Sequence, residues 1–207
     1  MHNGAMFRAA QRICHSFLCV ACMLAPLMFP AKAAQNLPTS WLDRPLAGWN
    51  GPAAPVPAAP QADETIAAVI SRCKLSPPRS TPGERAVEAA GWIPFWNFDQ
   101  QLVREDVEIV GGMRAAEAMC LPAAYQLFVF VGGRFAGMLS PGPMNTNRDS
   151  SAGVVRLPLP AVTADFARFA ATDAVCCPSS RVTVSYRIDR TPTGPVVVPV
   201  EVRATRR

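Results

Sequence analysis

Two adjacent cysteines, Cys176 and Cys177, lie far downstream of an N-terminal export leader in this 207-residue chain. Because thiols sent to an oxidising compartment rarely stay reduced, each cysteine of the doublet is expected to form a disulfide that fixes a different part of the fold. The leader carries three of the seven cysteines, so Cys73 and Cys120 complete an even set of four in the mature chain. An even set predicts a framework of two disulfides.

Four cysteines allow three pairings. A bond between Cys176 and Cys177 would close a strained ring, so we favour the two crossed pairings, in which Cys73 and Cys120 each bond to one member of the doublet. These bridges would close loops of roughly 50 and 100 residues and contribute about 2–4 kcal/mol each. A bond between Cys73 and Cys120 is the alternative. Because the mature chain has no Cys-x-x-Cys motif, we expect structural rather than redox-active cysteines there.

Residues 1–33 are predicted to be a cleaved signal peptide. Arg8 and Arg12 give it a positive start, and residues 13–29 are mostly apolar but too short and irregular for a membrane span. The run Ala31-Lys32-Ala33 has small residues at both recognition positions, which places cleavage after Ala33. We therefore expect a periplasmic or secreted protein whose mature chain has no transmembrane span.

Cys22 offers an alternative as a lipidation site. Cys19 stands where a lipobox has leucine, and the apolar run continues past Cys22, so simple export is favoured over a lipid anchor.

Removal of the leader changes the charge and removes both histidines. Three of the 20 basic residues leave with it, so 17 basic residues face 15 acidic residues, a net charge of +2. Without histidine, a Ser-His-Asp or Cys-His catalytic site is impossible. The cysteine spacings of 47, 56 and 1 match no zinc module. We therefore expect no metal and no cofactor. The arginines do not cluster into a basic patch, so we also expect no nucleic-acid partner.

Residues 34–61 have the composition of a Pro/Ala-rich linker, which should sample polyproline II geometry. Within it, Trp41 and Trp49 would prefer burial. We favour an arm that packs back on the domain over a segment that docks on a partner or an envelope surface.

Residues 62–207 are predicted to form one small α+β domain, with one or two N-terminal helices packed on an antiparallel sheet of hairpins. A helical face formed by Ile66, Val69, Ile70 and Cys73 follows Asp63, a suitable N-cap. A second short helix is expected at Gly83–Ala90.

The remaining pattern is that of strands, with a tight turn at Gly132-Gly133 and an edge position for the strand that contains Pro158. The predicted strands are Val107–Val110, Tyr125–Val131, Arg134–Leu139, Val154–Leu159, Val182–Ile188 and Val196–Val202.

Four sequence blocks occur in an order that is typical of a known family. They are the hairpin of residues 128–141, Phe166-Ala167-Arg168-Phe169, Cys176-Cys177-Pro178-Ser179 and the strand Val182–Ile188. In this order, over roughly residues 95–190, the chain resembles the LppP/LprE family of bacterial envelope proteins. The resemblance implies a small exported α+β domain, often lipid-anchored, with no established activity. It transfers no catalytic residue.

Three groups of side chains could carry a function. Four acids lie close together in sequence and could supply paired carboxylates for glycan cleavage: Asp99, Glu105, Asp106 and Glu108. Four aromatic residues could form a platform for a glycan or a peptide, or instead a packing cluster between helix and sheet, which we favour: Trp92, Phe95, Trp96 and Phe98. Three polar residues could offer oxygen ligands to calcium, although a polar loop is favoured: Asn145, Asn147 and Asp149.

The sequence thus predicts a non-catalytic binding or structural module of the bacterial envelope, whose partner would be an envelope protein or a cell-wall component. The alternative is a histidine-free cell-wall glycan hydrolase that uses two carboxylates about 5–9.5 Å apart in a cleft.

Overall fold

Two short helices precede all the long strands, as the sequence predicts. The chain is described by a computed structural model that covers residues 40–75, 81–95 and 102–206. Helix α1 spans Ile66–Cys73, and its N-cap is Thr65 rather than the predicted Asp63, because the Thr65 hydroxyl accepts a hydrogen bond from the amide of Ala68.

Helix α2 spans Pro82–Ala89 and begins with a capping box. The Thr81 hydroxyl accepts from the Glu84 amide at 3.1 Å, and the Glu84 carboxylate accepts from the Thr81 amide at 2.9 Å. Pro82 occupies the first helical position, where an amide N–H would have no partner within the helix, so the missing N–H of proline costs nothing there. These local signals fix where α2 begins.

The first antiparallel sheet is built around two long central strands. Strand β3 pairs with β1, β2 and β4, and β5 pairs with β4. Gly132 and Gly133 turn the hairpin between β4 and β5 with φ values of 56° and 73°, which glycine adopts without steric cost. The five strands are β1 (Ile93–Phe95), β2 (Val103–Arg104), β3 (Val107–Ala116), β4 (Pro122–Val131) and β5 (Arg134–Met138).

Four strands form a second antiparallel sheet, in the order β6-β7-β8-β9. The predicted α+β class is confirmed, but two sheets replace the single sheet that the sequence predicts. The strand predicted over Val154–Leu159 lies at a sheet edge, as expected, but it ends at Arg156, so Pro158 falls outside it. The four strands are β6 (Ala152–Arg156), β7 (Ala161–Arg168), β8 (Ser180–Thr191) and β9 (Gly194–Arg206).

The two sheets and α1 share one main hydrophobic core. Strand β4 is buried on both faces, because Leu127 and Val129 point into this main core while Phe128 and Phe130 point into a second core beneath α2. Fully buried members of the main core come from each part: Val69, Ile109, Val129, Leu139, Val162, Phe166, Val184 and Tyr186. The first sheet therefore lies between the second sheet and α2.

Residues 40–61, here called the N-terminal arm, pack against the domain. The Asn50 side chain donates to the carbonyls of Met138 and Val197 at 3.0 and 2.9 Å, and accepts from the Met138 amide at 2.9 Å. Further along, the indole of Trp92 donates to the carbonyl of Pro57 at 2.8 Å. Asn50 thus joins β5, at one edge of the first sheet, to β9, at one edge of the second.

The crossed disulfide pairing predicted from the sequence is wrong. Cys73 bonds to Cys120, with 5.5 Å between their Cα atoms, and Cys176 bonds to its neighbour Cys177. Helix α1 packs on β3, which brings Cys73 at the end of the helix to the turn that joins β3 to β4. The doublet instead lies in the loop that joins β7 to β8 in the second sheet.

Candidate functional site

A groove of about 1000 Å³ opens between the start of the N-terminal arm and two loops of the domain. We call it the arm groove. Most of its lining surface is apolar. It is lined by residues 40, 41 and 43 of the arm, by residues 141–145 and 147–150 of the loop before β6, and by residues 168–171, 173 and 175, which end β7 and begin the following loop.

Trp41 is the largest aromatic side chain in this lining. Its ring packs edge-on against Phe166 of β7 and against Trp49, with centroid separations of 5.1 and 5.3 Å. The indole Nε1 is buried and has no hydrogen-bond partner among the described residues. Aromatic packing, rather than a hydrogen bond, therefore positions Trp41 at the groove.

Arg168, at the end of β7, lies between two carboxylates of the groove. Its guanidinium donates to the two Asp43 oxygens at 2.9 and 3.1 Å and to Asp149 at 3.0 Å. Partial burial opposes the charge of Arg168, but the hydrogen bonds and charges of the two acids outweigh that effect and raise its pKa. The network holds the arm, β7 and the loop before β6 together.

The loop before β6 is fixed by its own polar side chains. Asp149 also accepts a hydrogen bond from the amide of Phe169 at 2.9 Å, and Asn145 accepts one from the amide of Ala124 at 2.8 Å. The hydroxyl of Ser150 is hydrogen-bonded to that of Ser40 in the arm. Contacts within the protein therefore preform this wall of the groove.

The loop after β7 carries the cysteine doublet and is held by Asp173. One carboxylate oxygen of Asp173 accepts hydrogen bonds from the amides of Ala170 and Ser179, each at 2.7 Å. These backbone donors lower the pKa of Asp173. Cys176 and Cys177 are exposed to solvent at the tip of this loop.

The comparison with known proteins covers both loops of the groove and the doublet. Residues 106–191 match the model of the LppP/LprE lipoprotein family. No curated protein and no solved structure matches the chain. The predicted resemblance is confirmed over the matched residues, which run from the start of β3 to the end of β8. The N-terminal arm lies outside the LppP/LprE match.

The LppP/LprE match suggests a location in the cell envelope. No helix in the described part of the chain is long and apolar enough to cross a bilayer. The predicted leader, its cleavage site and Cys22 lie outside the described residues, and export without lipidation stays a prediction.

Three of the four acids considered for paired carboxylates lie in the described part of the chain. Glu105 is in the turn between β2 and β3, with φ of 54°. Asp106 forms two hydrogen bonds to Arg190, each at 2.8 Å, and Glu108 accepts one from the Thr81 hydroxyl. None of these three lines the arm groove, and Asp99 lies outside the described residues.

The candidate aromatic platform is only partly described. Trp92 is 2% exposed, because it packs beneath α2 against Phe128 with 5.2 Å between the ring centroids. Phe95 is half-buried and packs edge-on against Tyr125 at 5.8 Å. Trp92 therefore serves the second core instead of facing a ligand. Trp96 and Phe98 lie outside the described residues.

The three oxygen-bearing residues considered for calcium do line the arm groove. Two of them, however, already accept hydrogen bonds from the protein. Asn145 accepts one from the amide of Ala124, and Asp149 accepts from Arg168 and from the amide of Phe169. Among the described residues, no group of three or more His, Cys, Asp or Glu side chains is arranged to hold a metal ion. The polar-loop interpretation of these residues stays a prediction.

Sequence reasoning singled out Trp41 and the residues around Asp149 but did not place them in one site. The ion pair between Asp43 and Arg168 joins positions 125 residues apart. No periodicity links two such positions, so only the folded chain could reveal the groove.

Proposed function

We propose that this chain is an exported envelope protein whose domain binds a partner in the arm groove without chemical turnover. The observation that supports this most directly is the combination of a largely apolar groove with acidic side chains that already have partners within the protein. Apolar grooves of this size favour contact with a ligand surface.

The arrangement of the acids favours binding over glycan cleavage. A glycosidase needs one carboxylic acid that donates a proton and a second carboxylate that acts as base or nucleophile. Within the arm groove, Asp43 and Asp149 both accept hydrogen bonds from Arg168. Both carboxylates therefore serve the contact that holds the arm to the domain.

We propose an extended peptide segment of an envelope protein as the occupant, with apolar side chains and one acidic group. Pro141, Pro143 and Met144 supply apolar contact surface on one wall. Arg148, on the same wall, is exposed and forms no ion pair among the described residues. Since Arg168 is neutralised by two acids, Arg148 is the cation that can attract an acidic partner.

Site-specific photo-cross-linking in the native envelope tests this proposal. A photoreactive phenylalanine would replace Val175, which lines the groove and is 59% exposed, or Val103, which is 46% exposed and lies outside the groove. We expect a discrete protein adduct from position 175 alone, reduced by at least about tenfold when Arg148→Glu is added.

Equal adducts from both positions, or none from position 175, would contradict binding in the groove. An adduct with wall glycan instead of protein would reject the peptide as occupant. Release of reducing ends from purified cell-wall glycan, abolished by Asp149→Asn, would support the hydrolase alternative and overturn the proposal.

A further inference from the structure

The bridge between the adjacent cysteines is open to solvent. Cys176 and Cys177 are both exposed, and so is Val175 beside them. The bridge between Cys73 and Cys120 is half-buried. A thiol in solution can therefore reach the adjacent pair much more easily than the other bridge.

The loop that carries the doublet does not depend on the bridge for its shape. Asp173 joins the amides of Ala170 and Ser179, which flank the doublet at both ends. The amide of Cys177 donates to the carbonyl of Ala174 at 2.9 Å, and Pro178 is buried. Reduction would thus leave two thiols held side by side in a loop that keeps its backbone hydrogen bonds.

The adjacent bridge also constrains very little of the unfolded chain. Stabilisation by a disulfide grows with the length of the loop that it closes. Cys176 and Cys177 are one position apart, whereas Cys73 and Cys120 are 47 apart. The fold therefore gains little stability from the adjacent bridge.

We propose that Cys176 and Cys177 form a redox-active couple that exchanges reversibly with thiol compounds in the envelope. This goes beyond the structural role that the sequence predicts for the doublet. The exchange needs no ligand in the arm groove, although Asp173 and Val175 belong to the groove lining.

Each step is an ordinary thiol–disulfide exchange. An external thiolate attacks one sulfur of the pair, the bond between Cys176 and Cys177 breaks, and the released cysteine takes up a proton. A second external thiol attacks the mixed disulfide and expels the other cysteine. The products are two cysteine thiols and one external disulfide, so two electrons pass to the protein. In the reverse direction, the neighbouring thiol resolves the mixed disulfide.

Differential alkylation of the mature protein tests the couple. The folded protein would be incubated with reduced glutathione or dithiothreitol, quenched with N-ethylmaleimide and mapped by peptide mass. We expect Cys176 and Cys177 to be labelled at least about tenfold faster than Cys73 and Cys120, with unlabelled protein recovering the bridge in oxidised glutathione. Simultaneous reduction of both bridges, or failure to reduce the doublet before unfolding, would overturn the proposal.

Single substitutions distinguish a cysteine pair that exchanges reversibly with thiols from a pair that is only exposed to solvent. Removing the resolving thiol in Cys176→Ser should trap one glutathione on Cys177 after incubation with oxidised glutathione, while the wild-type protein retains none. The double variant C176S/C177S is the matched control and should take up none. Adducts that persist equally on the wild-type protein, or covalent dimers of Cys176→Ser in place of the glutathione adduct, would contradict the exchange.

Discussion

Replacing Asn50 by alanine tests whether the N-terminal arm is a structural part of the domain. The Asn50 side chain makes three hydrogen bonds, two to Met138 of β5 and one to Val197 of β9, with lengths of 2.9–3.0 Å. A hydrogen bond contributes about 1 kcal/mol net, so Asn50→Ala should lower the free energy of unfolding by about 3 kcal/mol.

Urea unfolding of the disulfide-intact protein measures this loss, provided that the dependence of the free energy on urea is the same for both proteins. Asn145→Ala is the matched control, because its side chain makes one hydrogen bond, to the amide of Ala124. It should cost about 1 kcal/mol or less. If both variants lost the same free energy, or Asn50→Ala lost none, the arm would not stabilise the domain.

Three further predictions concern the bridges, a glycine and an acid. The double variant C73A/C120A should lose about 4 kcal/mol of unfolding free energy and C176A/C177A about 1 kcal/mol, as measured by urea unfolding. Gly112→Ala should cost about 1–3 kcal/mol, because its Cβ would lie 2.8 Å from side chains of β4 and α2, whereas Gly48→Ala has no atom within 4 Å and should show no loss. The pKa of Asp173 is lowered from its ordinary value of 3.8 by backbone donors, so its contribution is present above about pH 4 and is lost as the pH falls through the folded-state pKa. Melting temperatures of the wild-type protein and Asp173→Asn should therefore converge on acidification, and a gap that stays constant with pH would contradict this origin.

The elements predicted well are those in which local chemistry and periodicity agree. Helix α2 has its capping residues and proline in sequence order, and the hairpin of β4 and β5 has two glycines between apolar runs. Strand β8 alternates buried and half-buried residues over Val182–Tyr186. For such elements the neighbouring residues in sequence are enough to select the structure.

The features that were missed depend on contacts between distant parts of the chain. Strand β7 was not predicted, because small residues such as Ala161 and Ala164 give a weak β signal even though Ala164 and Phe166 are fully buried. The division into two sheets and the disulfide pairing follow from how β-hairpins and α1 pack. Likewise, the arm groove exists only because Asp43 reaches Arg168 across the fold.

The Asn50 junction also bears on solubility. Strands at the rim of a sheet present unpaired amides and carbonyls that can recruit a strand from another molecule. The Asn50 side chain occupies the amide and carbonyl of Met138 in β5 and the carbonyl of Val197 in β9, so it satisfies backbone groups in an edge strand of each sheet. Loss of the Asn50 contact would leave these backbone groups open to pairing with another molecule, so damage to the arm favours self-association as well as unfolding.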